Sequence, residues 1–274
     1  MPEDDSEGVT FEFTARQALG VAALFGLTVG LTFGFAAGAM TFDSAQQPTA
    51  PAEDPDTGDQ EQPPEEEEQV EVSMQNIDLS DRPTLGDDDA PIKIVEYSDF
   101  GCPFCAEWQG VDASPQIPIS DMQVADDLKE NFIDTGEVQL IHKDFPVDSL
   151  HANAPDAHTA ANCVYEEEGN DAYWDFHDEL YEQREAWTES GQNDPDETFR
   201  TIAQGLGLDA DSVMQCYEET DNSAVQDSRT TAVQEFGNMG TPTFYIGTEG
   251  GEYIQISGAQ PIDRFEDVIN EVRN

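Results

Sequence analysis

Ile92-Lys93-Ile94-Val95-Glu96-Tyr97-Ser98-Asp99-Phe100-Gly101-Cys102-Pro103-Phe104-Cys105 is the stretch that decides how this chain is read. Its first six residues form an apolar run of strand type. Phe100 to Cys105 predict the opening of a helix, with Pro103 in the first turn, where its missing N–H has no intrahelical partner to lose. Cys102 then stands at the exposed helix start. Orphan backbone N–H groups and the positive end of the helix dipole favour a thiolate there, which marks Cys102 as a low-pKa nucleophile. Cys105 follows about one turn later on nearly the same face, placed to attack a mixed disulfide and release the partner. The competing chemistry for such a pair is half of a zinc site, which requires a second close pair of ligands. The other cysteines, Cys163 and Cys216, are isolated from each other, and no histidine lies near any of the four at finger-like spacing. The expected chemistry is thiol–disulfide exchange, with no metal and no organic cofactor required.

The composition sets the surroundings of that chemistry. Of 274 residues, 60 are acidic and only 10 are Lys or Arg, a formal net charge of −50. Lysine stands only at Lys93, Lys129 and Lys143. Such a surface repels itself at ordinary ionic strength, whereas at molar salt the Debye length falls to about 3 Å. With 37% hydrophobic residues the chain still has a core to bury, so the expectation is a protein of an extreme halophile, the alternative being a binder of cationic partners. Nucleic acid is excluded as a ligand, because phosphate would meet a repulsive field.

No charged residue occurs between Arg16 and Asp43. The apolar stretch from Ala18 to Met40 is long enough to cross a bilayer. The expected organisation is a cytoplasmic N-terminus at 1–17 and a transmembrane anchor at 18–42. Gly26, Gly30, Gly34 and Gly38 fall on one helix face, either as a packing surface or because glycine is frequent in membrane helices. Ala37-Gly38-Ala39 resembles a signal-peptide cleavage site. The apolar run exceeds a typical signal core, however, and no twin-arginine pair precedes it, which favours an uncleaved anchor. Arg16, the basic residue nearest the span, puts the N-terminus inside and the rest outside the cell membrane. Residues 43–76, rich in Pro, Gln, Asp and Glu, predict a disordered, self-repelling tether.

Residues 77–274 predict a mixed α/β domain. Strands are expected at Ile92–Tyr97, Val138–Ile141, Thr243–Ile246 and Glu252–Ile256, and a closing helix at Ile262–Val272 with Pro261 at its first position. Between the second and third strands the period turns helical, giving an insertion at about 148–236. Ala157, Ala160, Ala161 and Val164 share one face, as do Tyr173, Trp174, Leu180 and Tyr181. Asp194-Pro195-Asp196-Glu197 marks a helix start within it.

This order, with Cys-Pro-Phe-Cys after the first major strand, resembles the thioredoxin fold, and the helical insertion resembles the DsbA family of extracytoplasmic thiol–disulfide oxidoreductases. The resemblance covers roughly 77–274. It implies that Glu96, six residues before Cys102, is a buried acid that exchanges a proton with Cys105; taken alone, the strand pattern leaves Glu96 on either face. It implies that Gly240-Thr241-Pro242-Thr243-Phe244 is a cis-proline loop facing the cysteines, where an unfolded substrate segment pairs as an added strand. On pattern alone Thr241-Pro242 would be an ordinary trans proline opening a strand. His142-Lys143-Asp144-Phe145-Pro146 is similar to the family's strand exit into its helical domain. Some members carry a second disulfide in that domain, which implies a structural Cys163–Cys216 bridge, two buried free thiols being the other reading. His142, His151, His158 and His177 are expected to be structural or surface groups.

The resemblance implies a membrane-tethered oxidoreductase that introduces disulfides into unfolded or partly folded exported proteins bearing free thiols. A membrane partner of the quinone-linked type reoxidises it. Two features temper the oxidising direction. Phe104 stands where the family's strongest oxidants carry His, and the acidic surroundings, including Asp99 and Glu107, oppose a thiolate. A reductase or isomerase on the same scaffold is the alternative, followed by a non-enzymatic tethered binding module.

Overall fold

A computed structural model describes residues 70–113, 123–188 and 194–274. The expected anchor at 18–42, the segment before it and the tether up to residue 69 lie outside the described residues. Among the described residues no helix is long and apolar enough to cross a membrane.

The described residues open with two short strands, β1 (Glu71–Ser73) and β2 (Thr84–Leu85), before β3 (Ile92–Ser98). Helix α1 (Pro103–Trp108) follows, then α2 (Val124–Leu128), which widens into a π-helical turn at Lys129–Ile133. Strand β4 (Val138–Asp144) leads into the helical block. That block comprises α3 (Ala154–Glu168), α4 (Asn170–Glu182), α5 (Arg184–Thr188), α6 (Pro195–Gly205), α7 (Ala210–Glu219) and α8 (Ser223–Phe236). Strands β5 (Thr243–Gly247) and β6 (Glu252–Ser257) and helix α9 (Ile262–Arg273) close the chain. The sheet order is β1-β6-β5-β3-β4-β2, with β3 and β4 parallel and every other pair antiparallel. This is a thioredoxin-like α/β fold with a helical insertion. Pro261 caps α9 from outside rather than occupying its first turn.

The fold begins before residue 77. Glu71–Ser73 pair with Glu252–Ile254, and Met74 and Ile77 are buried. The acidic, proline-rich composition that predicts a tether up to Asn76 conceals this edge strand. Its order comes from the backbone hydrogen bonds offered by β6, not from a pattern of its own.

Strand β3 is covered on both faces, which is why it reads as a nearly continuous apolar run. Val95 and Tyr97 join a cluster with Ile141, Tyr245 and Ala232 under α8. Ile94 packs on the other face with Leu140, Trp108, Phe244 and Phe265, beneath α1, α2 and α9. Parallel register sets Glu96 beside His142 and Ser98 beside Asp144. With a period of two, Glu96 and Ser98 share the Ile94 face. A third cluster fills the space between α1 and the helical block, where Phe100, Ala106, Ala157, Ala160, Ala161, Tyr173 and Leu180 are all buried.

Asp144, at the end of β4, pins the helical block to the sheet. Its carboxylate accepts from His158 Nδ1 at 2.7 Å and Asn162 Nδ2 at 3.0 Å, both from α3, while its carbonyl accepts from Ser228 of α8 at 2.8 Å. Burial alone would push this carboxyl up. The His158 hydrogen bond and charge, with His142 and the Asn162 amide, outweigh burial and bring it down to about 2. A carboxylate depressed in this way contributes stability above its ordinary value of 3.8, and that contribution is lost as pH falls towards about 2. Between about pH 4 and pH 2 the wild type should therefore lose roughly 2 kcal/mol more than Asp144→Asn. Urea melts across that window measure it, and parallel acid limbs would contradict it.

Candidate active site

The site is assembled where β3 ends and α1 begins. Ser98 closes the strand and Asp99 turns the chain, its carboxylate accepting from Gly101 N at 2.7 Å and its carbonyl from Cys102 N at 2.9 Å. Cys102 is the N-cap of α1 in extended conformation, with Pro103 at the first helical position. Cys105 is then the third helical residue. Its N–H is one of the orphan donors of the first turn and favours a thiolate on Cys102.

Both cysteines are free thiols. Cys102 is 5% exposed and Cys105 only 1%, so an incoming sulfur reaches Cys102 first. The Cys105 thiol, against the opposing effect of burial, lowers Cys102 to about 6, helped by the Thr241 side chain and the Cys105 N–H; the Asp99 charge works against this. Burial and the Cys102 charge push Cys105 well up, while the Ser98 hydroxyl pulls it slightly down. The two thiols therefore have opposite tendencies. One is stabilised as a thiolate, and the other retains its proton.

Thr241-Pro242 is a cis peptide, and Cys102 Sγ lies 3.4 Å from the Thr241 carbonyl oxygen. Glu96 is wholly buried. Burial raises its carboxyl, opposed by the charge of His177 and by the Ser98 hydroxyl. Cys163 and Cys216 form a disulfide joining α3 to α7, remote in sequence from the Cys102–Cys105 pair. Phe104 is 48% exposed beside Cys102. Glu107 is directed to the backbone, its Oε1 accepting from Ala113 N at 2.9 Å.

Three further groups reach the site that the sequence does not announce. His151 Nδ1 donates to Asp99 at 2.8 Å. Burial works against its cation, but the Asp99 bond and charge and the Cys102 charge together raise it above an ordinary histidine. Arg184 donates from Nε and Nη2 to the Gly101 carbonyl at 2.9 and 2.6 Å. Tyr181 Oη lies 3.0 Å from Ser98 Oγ. Two of the chain's few cationic groups thus flank Cys102, and Asp99 is engaged by one of them. Gly101 is what allows the approach, because a Cβ there would lie 2.5 Å from His151 Cβ.

The remaining histidines are buried rather than at the surface. His142, His158 and His177 surround Phe100 with ring centroids 5.7, 4.5 and 5.4 Å away. Burial, with the charge on His177, holds His142 well below the ordinary imidazole value, and its Nδ1 lies 2.8 Å from Tyr173 Oη. Among the described residues no group of three His, Cys, Asp or Glu side chains is arranged to hold a metal ion.

A thioredoxin-like sheet that carries a CxxC pair at a helix start, opposite a Thr-Pro peptide, defines a class of redox-active folds. The family model described as thioredoxin matches residues 79–271, and this chain belongs to that family. It is similar to the "Probable disulfide bond formation protein D" of Bacillus cereus, at 36% identity over 110 residues, 40% of this chain and 44% of that protein. The match thus spans less than half of the curated relative. Among solved structures, α-DsbA1 from Wolbachia pipientis superposes with a TM-score of 0.59 at 23% identity, covering 71% of this chain and 92% of that one. BdbD from Bacillus subtilis, in its oxidised form, gives 0.54 at 22%, covering 75% and 98%. At these identities the two structures speak for the fold alone.

Proposed function

We propose that this chain is a protein thiol–disulfide oxidoreductase that introduces disulfides into exported proteins through Cys102 and Cys105. The observation that carries the reading is the pair of opposite shifts at the start of α1: the more exposed thiol is stabilised as a thiolate and its buried neighbour is held protonated. In the oxidised enzyme a substrate thiolate attacks Cys102 Sγ. The Cys102–Cys105 bond breaks, and Cys105 leaves as a thiolate that takes up a proton. A second substrate thiolate then attacks the substrate sulfur of the mixed disulfide and expels the Cys102 thiolate. The substrate loses two electrons and the enzyme gains them. A stabilised Cys102 thiolate is the better leaving group and favours this direction.

Thr241 and Pro242 present the backbone against which an extended substrate segment lies, with sequence tolerance because main-chain groups make the contact. Unfolded or partly folded exported proteins are the substrates. A quinone-linked membrane partner reoxidises the dithiol, and the 18–42 span anchors the domain on the outer face of the cell membrane. The charge of −50 suits a halophile's molar salt. His151 supports the oxidising direction by supplying positive charge that Phe104 cannot.

Equilibration of the Cys102–Cys105 couple with glutathione in molar salt tests the reading. A potential between about −120 and −180 mV is expected, with His151→Gln displaced towards more reducing values. A wild-type potential near about −270 mV would assign a reductase instead. A protein that never exchanges with glutathione would leave a binding module.

A further inference from the structure

Gly101 has to admit His151, since a Cβ there would lie 2.5 Å from His151 Cβ. Glycine allows that approach, but it leaves the backbone before Cys102 freer than any other residue would. The loop is held from outside instead. Asp99 Oδ1 accepts from Gly101 N at 2.7 Å, and Asp99 Oδ2 accepts from Val147 N and His151 Nδ1, each at 2.8 Å. The next peptide, Gly101–Cys102, is planar and is gripped at both ends. Cys102 N donates to the Asp99 carbonyl at 2.9 Å, and the Gly101 carbonyl accepts from Arg184 Nε at 2.9 Å and Nη2 at 2.6 Å. Arg184 opens α5 in the helical block, 83 positions after Gly101.

The partner that Arg184 takes is unusual for so acidic a chain. Only 10 residues are Lys or Arg against 60 that are Asp or Glu, and Arg200 and Arg273 pair with the carboxylates of Asp211 and Glu137. Among the described residues Arg184 forms no such pair, and its fork closes on a neutral carbonyl. Its charge is therefore not cancelled by a bonded acid. Covalent geometry places that charge beside the nucleophile, because the carbonyl carbon it grips is bonded to Cys102 N.

We infer that Arg184 is a positioning residue for Cys102: it fixes the plane of the Gly101–Cys102 peptide and holds a permanent positive charge one residue from the reacting sulfur. This role rests on the oxidoreductase reading above. A fixed Sγ serves both halves of the exchange, since attack on it and departure from it need alignment with a second sulfur. The charge favours the Cys102 thiolate and so the direction in which the enzyme is reduced. The other groups facing Cys102 are Cys105 from α1, Asp99 from the turn, His151 from the segment after β4 and the Thr241 carbonyl. Of the two cations, His151 loses its charge in alkali and Arg184 does not.

Equilibration of the full chain with glutathione in molar salt, at about pH 7 and about pH 9, separates the two cations. Arg184→Met should make the Cys102–Cys105 couple about threefold to tenfold less oxidising at both, or about 15–30 mV. His151→Gln should show its displacement at the lower pH and fall within about twofold of wild type at the higher. Arg184→Lys keeps the charge without the paired fork. It should restore the equilibrium constant, while the single-turnover rate of attack on Cys102 stays about threefold below wild type. If Arg184→Met lies within about twofold of wild type at about pH 9, whatever its melting temperature, Arg184 is only a tether for α5 and the role is overturned. Should Arg184→Met not fold, Arg184→Gln, which keeps a donor and loses the charge, carries the same comparison. A folded wild type that never exchanges with glutathione would remove the oxidoreductase reading alone. Alkylation of Cys102 by iodoacetamide at about pH 5 then decides the positioning role: a rate about threefold or more lower in Arg184→Met supports it, and an unchanged rate overturns it.

Discussion

Cys102→Ser should abolish disulfide exchange, lowering turnover of a reduced, unfolded protein by roughly 10⁴-fold or more, the scale on which loss of a covalent nucleophile is felt. The effect follows from the asymmetry of the pair. Cys105 is buried beneath the first turn and held protonated, so it cannot stand in for the missing sulfur. Cys105→Ser should behave differently. Its Cys102 thiolate still attacks disulfides, and the product is a mixed disulfide that nothing inside the enzyme resolves. Mass analysis after incubation with an oxidised substrate should find that adduct on Cys102 in Cys105→Ser and no adduct in Cys102→Ser. Retention of more than a tenth of wild-type turnover by Cys102→Ser would remove Cys102 from the nucleophile's role.

Removing the second disulfide should be the largest change in stability. Cys163 and Cys216 are 53 residues apart. Closing a loop of that length removes conformational freedom from the unfolded chain worth about 4 kcal/mol. In a domain of this size that corresponds to roughly 10 °C in melting temperature. The bridge joins α3 to α7 within the helical block, where Cys163 is fully packed among Ala160, Val164 and Met214. Alanine at both positions leaves the apolar neighbours in place and the Cys102 site untouched. Melting curves of Cys163→Ala/Cys216→Ala against wild type in molar salt should show the drop at nearly unchanged exchange activity. An unchanged melting temperature would mean that the unfolded chain is already confined by other means.

The central elements were legible because their signals are local. Strand β3 is a nearly continuous apolar run, α6 announces itself with Asp194 and Pro195, and Asp194 does accept from Asp196 N at 3.2 Å. Strands β1 and β2, three and two residues long, carry no period to detect. Helix α2 follows Gln123, which provides no side-chain cap, and changes its winding after one turn. The same division runs through the site. Cys102, Cys105, Thr241 and Pro242 are recognisable as short motifs. His151 meets Asp99 across 52 residues and Arg184 meets Gly101 across 83, and no spacing in the sequence encodes such encounters. Their approach is fixed by the docking of the helical block on the end of β3. The burial of Glu96 on the Ile94 face likewise required the register of β4.

Phe104 stands apart from its surroundings. Cys102, Cys105, Asp99 and Glu96 are all enclosed, yet Phe104, one of the two residues between the cysteines, is about half open to solvent. A residue next to the site's cysteines is therefore one the core does not hold in place. Substitution of Phe104 should therefore alter the surface beside Cys102 while leaving the packed scaffold beneath it intact.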